Sequence, residues 1–298
     1  MTIATSSGWE AVGTRRTLCG ERIFTVDAPP IGPERHEPLL ILHGFPSSSF
    51  DYAAVLDGLR AERRVVLFDM LGYGLSAKPD RAYTMALQAD LAAAFVATLG
   101  IDRLALLTHD MGDTVGGELL ARRAEGAWAV EVTRRVVTNG SIYIGQAHLT
   151  NGQQFLLGLP DEVLSPGSPL DAASLAQSLR DTFSPSTPPV PPGWPADPLP
   201  EAAAQVVHDD GQLLLPRLIR YIEERRSDER RFTGAIESDP SPLRIVWGLD
   251  DPIAVPSMVD TLLEARPDAT ADRLEGVGHY PMMEAPQRFL DAVLPGLD

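Results

Sequence analysis

Cysteine occurs once in the 298 residues, so no disulfide can close within the chain. Cys19 also has no neighbouring group that would make it a nucleophile or a metal ligand. Lysine is equally scarce: Lys78 stands alone among 25 basic residues, and the rest are arginine. No apolar run approaches the roughly 20 residues that a membrane-spanning helix needs. Residues 1–20 carry neither a basic n-region nor an apolar h-region, so no signal peptide is expected and a soluble cytoplasmic protein is. Positive charge is in deficit, with a net charge of −16. Such a surface repels nucleic acid and anionic membranes, which are discounted as partners; solubility is the simplest use of the charge. Finally, Gly-x-Ser-x-Gly occurs nowhere, so a serine at the tip of a strand-to-helix turn has no place to sit.

What is present is a large apolar fraction, 44% of the chain, enough for a substantial core in one domain with an insertion or in two domains. Thr14 to Val26 reads as a hairpin turning near Gly20. Short, mainly apolar runs follow at Pro38–Leu42, Arg64–Phe68, Arg103–Leu107, Arg135–Val137 and Leu243–Trp247. Runs of this kind mark strands buried on both faces of a parallel sheet. Helical patterns separate them, most clearly at Thr84–Leu99, where Leu87, Leu91, Phe95 and Leu99 recur at steps of four before Gly100. The alternation predicts an α/β fold with a mostly parallel central sheet flanked by helices. It breaks after Asn139-Gly140. Residues 141–239 hold helical patterns without a convincing buried strand, and Ser184–Pro200 carries eight prolines, which predicts an extended loop. The expected organisation is a core of residues 1–140 and 240–298, with 141–239 as a mainly helical cap inserted after the sixth strand.

Ligands of open α/β sheets sit beyond the carboxyl ends of the strands. Four polar groups fall there: His43-Gly44, Asp110, Asp250-Asp251 and His279. Thr108-His-Asp-Met-Gly112 has the small flanking residues that a sharp strand-to-helix turn requires, with Asp110 at the apex where many hydrolases carry serine. Taken alone, Asp110 could equally be a helix cap; the other three groups favour a nucleophile. An ionised carboxylate suits attack on a strained or polarised alkyl carbon. His279, in Gly276-Val-Gly-His-Tyr-Pro281, can act as a base near neutrality. The order nucleophile, acid, histidine suits this fold. Asp250 and Asp251 both follow a strand, and Asp251 is preferred because related folds run Gly-x-x-Asp. In His43-Gly-Phe-Pro46 the backbone is the useful part: the N–H groups of Phe45 and Met111 form a candidate oxyanion hole. The bond before Pro46 is a candidate cis bond. His43 and His109 read as structural.

These motifs, with Asp69-Met-Leu-Gly-Tyr-Gly-Leu-Ser76, make the chain resemble the α/β-hydrolase superfamily, and within it the aspartate-nucleophile branch of epoxide hydrolases and haloalkane dehalogenases. The resemblance implies a two-step reaction: an alkyl ester forms on Asp110, then water activated by His279 and Asp251 hydrolyses it. It implies no metal and no organic cofactor, and a small apolar electrophilic substrate. Dehalogenases of this branch place side-chain N–H donors around the halide, typically Trp after the nucleophile and Asn after His-Gly. Here Met111 and Phe45 occupy those positions. Fluoroacetate dehalogenases add arginines after the nucleophile, whereas Met111-Gly-Asp-Thr114 has none and Asp113 would repel a carboxylate. Epoxide hydrolases instead use cap tyrosines, for which Tyr221 and, less closely matched, Tyr143 are the candidates. His43, Pro46, Asn139 and Trp194 are expected around the substrate pocket. An epoxide hydrolase is therefore expected; the alternatives are a dehalogenase-like hydrolase with an atypical halide site and a hydrolase-fold binding protein without turnover.

Overall fold

The computed structural model describes residues 3–168, 170–186, 194 and 197–298. Eight strands form one sheet: β1 (Thr14–Leu18), β2 (Glu21–Ala28), β3 (Leu39–Leu42), β4 (Val65–Phe68), β5 (Arg103–His109), β6 (Glu131–Thr138), β7 (Leu243–Gly248) and β8 (Thr270–Leu274). Their spatial order is β1-β2-β4-β3-β5-β6-β7-β8. The β1–β2 and β2–β4 pairs are antiparallel, and every other pair is parallel. The helices are α1 (Ser6–Glu10), α2 (Leu56–Leu59), α3 (Met85–Thr98), α4 (Met111–Ala124), α5 (Asn151–Gly158), α6 (Ala172–Arg180), α7 (Leu199–Val207), α8 (Leu215–Leu218), α9 (Tyr221–Ser238), α10 (Ser257–Ala265), α11 (Pro281–Glu284) and α12 (Pro286–Leu297). None of them is long and apolar enough to cross a membrane.

The continuous apolar runs are explained by the two faces of the sheet. Leu40, Leu42, Leu104 and Leu106 enter one apolar cluster, with Leu91 and Phe95 of α3 and Val115 and Leu119 of α4. Their neighbours Leu39, Ile41, Ala105 and Leu107 enter the other, with Leu56 and Leu59 of α2 and Phe289 and Val293 of α12. Successive strand residues point to opposite faces, so a strand covered on both sides shows no polar alternation.

Among the described residues, the stretch between β6 and β7 contains helices α5 to α9 and no strand, as its sequence pattern predicts. Most of the expected proline loop, Ser184–Pro200, lies outside the described residues, namely 187–193, 195 and 196. Leu199 and Pro200 already belong to α7. Proline in the first turn costs nothing, because the N–H it lacks would have no helical partner. Strand β8 has no counterpart in the apolar runs: it is an edge strand, Thr-Ala-Asp-Arg-Leu, with only Leu274 buried.

Candidate active site

The turn from β5 into α4 places Asp110 at φ 49°, ψ −115°. Such a conformation is strained for a residue with a Cβ and persists only where its surroundings hold it. Gly112 makes the turn possible: a Cβ there would lie 2.3 Å from the Leu42 carbonyl oxygen of the neighbouring strand. The Asp110 carboxylate is buried. Its Oδ2 accepts the Phe45 N–H at 2.8 Å, whereas Oδ1 has no hydrogen-bond partner among the described residues. The Phe45 N–H, predicted as an oxyanion donor, therefore already rests on an oxygen of the carboxylate. Among the described residues no hydrogen bond joins the Met111 N–H to it; Met111 opens α4, where first-turn N–H groups are left without helical partners. The Phe45–Pro46 peptide is cis.

His279 follows β8 on a loop tied down from below. Glu284, fully buried, accepts the N–H groups of Gly278 and Tyr280 at 2.8 and 2.9 Å, and that of Ser184 at 2.8 Å. The His279 N–H reaches the Thr182 carbonyl at 3.0 Å. Its Nδ1 donates to Asp251 Oδ2 at 2.7 Å, which leaves Nε2 as the nitrogen available for proton transfer. The preference for Asp251 over Asp250 agrees with this geometry, since Asp250 instead accepts the Ser184 hydroxyl at 2.5 Å. Asp251 is held in turn: Oδ1 accepts the N–H groups of Ile253 and Ala254, and Oδ2 accepts the Asn139 amide at 2.7 Å. Burial lowers the pKa of His279, but Asp251, then Asp110 and Glu284, outweigh it and raise the pKa to about 9. The ring is accordingly an imidazolium at neutrality, flanked by two carboxylates.

That charge state has a testable consequence. The folded pKa lies above the ordinary histidine value of about 6.5. Stability linked to this group is therefore fully present below about 6.5 and is lost as pH rises through about 9. Asp110→Asn removes one of the raising charges, so the His279 imidazole, followed by NMR, is expected to titrate at lower pH than in the unsubstituted protein. An unchanged titration would separate Asp110 from His279 electrostatically.

Several expected pocket residues are placed elsewhere. His43 is buried, donates from Nδ1 to the Gly44 carbonyl at 2.8 Å and accepts the Met70 N–H at Nε2; it braces the loop. Asn139 spans Gly248 and Asp251 and orients the acid. Trp194 is half-buried against the second apolar cluster and does not line the cavity beside Phe45 and His279 described below. Tyr143 gives its hydroxyl to Glu237 at 2.8 Å. Asp113 is buried, accepts the Thr108 hydroxyl, and is pushed up to about 8 by burial. It is neutral near pH 7 and so does not supply the repulsion expected of it. His109 donates to the His279 carbonyl at 2.8 Å; burial, with the His279 charge, pushes it down to about 4, consistent with a structural role.

Tyr221 opens α9, is fully buried, and its ring centroid lies 5.7 Å from that of Phe45. Among the described residues its hydroxyl has no hydrogen-bond partner. Arg225, one turn on, is the residue that sequence reasoning missed. Its guanidinium is buried, lies 5.1 Å from the Tyr221 ring centroid, and bonds the Thr114 hydroxyl, the Ser141 carbonyl at 2.8 Å and the Asp110 carbonyl at 3.3 Å. A cavity of about 100 Å³ is walled by Phe45, Pro46, Leu156, Leu179, His279 and Tyr280 among others. Asp110 and Tyr221 are not in its walls; Phe45 is the wall residue that packs on Tyr221.

Residues 39–292 match the α/β-hydrolase family. The chain belongs to this family. It is 38% identical over 274 residues to LipZ of Mycobacterium tuberculosis, covering 88% of this chain and 89% of that one. It is 31% identical over 295 residues to the human mesoderm-specific transcript homolog protein, covering 96% and 86%. Among solved structures, epoxide hydrolase CorEH superposes with a TM-score of 0.74 at 20% identity, over 95% of this chain and 97% of that one. At that identity the likeness concerns the α/β-hydrolase fold alone.

Proposed function

We propose that this α/β hydrolase opens epoxides to vicinal diols through an ester on Asp110. The observation that carries the reading is the carboxylate itself, at a strained turn, with one oxygen held by the Phe45 N–H and the other without a partner among the described residues. In this reading residues 141–239 form a cap over the core. Asp110 Oδ1 attacks a ring carbon and the C–O bond breaks onto oxygen. The Tyr221 hydroxyl protonates the nascent alkoxide, and the His279 imidazolium returns a proton to Tyr221. Esterification removes the Asp110 charge that helped to hold that proton, so His279 becomes a base when a base is needed. It then takes a proton from water, whose oxygen attacks the ester carbonyl. The Phe45 N–H stabilises the developing oxyanion. Collapse releases the diol and regenerates the carboxylate–imidazolium pair, so atoms and charge balance over the cycle.

The preference for epoxide over halide rests on donors. Neither Met111 nor Phe45 offers a side-chain N–H, whereas Tyr221 presents a hydroxyl without a hydrogen-bond partner among the described residues. The substrate is apolar, to suit the walls of the adjacent cavity, and reaches Asp110 past Phe45. Incubation with terminal and aryl epoxides should yield diols. Bromide release from bromoalkanes without diol formation would favour the dehalogenase reading. A thermal shift with epoxide but no product would favour a binding protein.

A further inference from the structure

The expected second cap tyrosine, Tyr143, is occupied by Glu237. The core offers another hydroxyl. Tyr73 lies on the loop after β4, between Gly72 and Gly74, whose φ values of 91° and 47° let the chain fold tightly around it. Buried Asp69 anchors the loop, accepting the N–H groups of Ser49 and Leu75 at 2.9 and 2.7 Å. The Tyr73 side chain is buried, with its ring edge-on to both His43 and Phe45. Its hydroxyl donates to the Met111 sulfur at 3.2 Å. A thioether is a weak acceptor, so this buried donor is held by a partner that an oxygen ligand would readily displace. Tyr73 and Tyr221 pack on the same Phe45 ring, at centroid distances of 6.5 and 5.7 Å, and the Phe45 N–H sits on Asp110.

Resting on the proposed epoxide chemistry, we infer that Tyr73, from the core, and Tyr221, from α9, form the hydroxyl pair that binds the substrate oxygen, with Tyr143 taking no part. Burial, followed by the neighbouring Tyr221 and Asp110, pushes the Tyr73 phenol well up, and burial with Asp110 does the same to Tyr221. Both are therefore neutral donors through the working pH range. Two donors share the alkoxide charge as the ring opens. Tyr221 passes its proton to the oxygen, while Tyr73 keeps its own and turns from the Met111 sulfur to the oxygen. No further proton source is required.

The test uses His279→Gln as the parent, with styrene oxide as probe, and follows formation of the Asp110 ester by rapid-quench mass spectrometry. Tyr73→Phe keeps the ring packing and removes only the hydroxyl. Ester formation is expected to slow about 10- to 100-fold, and Tyr143→Phe to match the parent. In the His279 background, Tyr73→Phe is expected to leave ester hydrolysis unchanged, a split that a purely packing role would not produce. Ester formation at the parent rate in Tyr73→Phe, or equal slowing of both steps, would overturn the inference while leaving the epoxide reading intact. No ester in the parent itself would overturn both.

Discussion

Replacing His279 by glutamine is expected to leave the protein arrested with its substrate attached. Glutamine keeps an amide near the position of the ring but cannot accept a proton from water, so the second step loses its base. In the proposed mechanism the first step uses the Asp110 oxygen and the Tyr221 donor, and calls on His279 only to return the proton to Tyr221. Turnover should fall by about 10³- to 10⁴-fold, the range associated with losing a positioned base in a triad. The Asp110 ester should then accumulate in near-stoichiometric amount. Intact-mass analysis should show the added mass of one epoxide, and peptide mapping should place it on Asp110. Asp110→Asn should take up no label. An unmodified Asp110 in folded His279→Gln protein, across epoxides and bromoalkanes, would remove the covalent mechanism. The imidazolium of the resting protein sharpens this result. With His279 gone, Asp110 loses a facing cation, so it is expected to be no weaker a nucleophile; Tyr221 must regain its proton from solvent, so ester formation slows, and the larger block falls on hydrolysis.

The features that could be read from sequence are those encoded locally. Leu39–Leu42 and Val65–Phe68 are apolar at every position because both sheet faces are covered, and no alternative element explains four such residues before a turn. Asp110, Asp251 and His279 each follow a strand in a turn with its own chemistry, so their convergence followed from the sheet's parallel order. Residues whose roles depend on packing between distant segments were not legible in this way. Tyr143, Trp194, His43 and Asn139 have side chains suited to a pocket, but their partners lie elsewhere: Glu237 for Tyr143, and Gly248 and Asp251 for Asn139. Asp113 reads as a negative charge, and only its burial shows that it is neutral near pH 7. Glu284 sits five residues after His279 in what looks like an ordinary helical turn, yet it organises the histidine loop through three N–H groups. Strand β8 was missed because an edge strand need bury only one residue in five.

Arg225 is expected to be the costliest single residue to lose outside the triad, in stability and in rate together. The side chain leaves α9, crosses beneath the turn that carries Asp110, and ends on groups from three segments: Thr114 in α4, Ser141 just after β6, and the Asp110 main chain. No carboxylate lies within hydrogen-bonding distance of its guanidinium among the described residues. Two effects oppose one another on substitution. Arg225→Met relieves the cost of burying a cation, but it strands the Ser141 carbonyl, at a cost of about 1–3 kcal/mol when left unpaired, and it takes from the Asp110 carbonyl one of two donors, the Asp113 N–H at 3.1 Å remaining. Methionine can fill the volume but not those bonds, so the second effect wins, and a net loss of roughly 1–3 kcal/mol is expected in urea unfolding. Arg225→Lys should recover little of it, because one ammonium cannot span three acceptors in a fixed fork. The rate should fall as well, by about 10- to 100-fold at a temperature where both variants are fully folded. The Asp110 carbonyl would lose a tether at a strained residue, and the Tyr221 ring would lose the cation stacked 5.1 Å from its centroid. A variant unfolding within about 0.5 kcal/mol of the unsubstituted protein and turning over at its full rate would show that the turn holds its shape without the arginine.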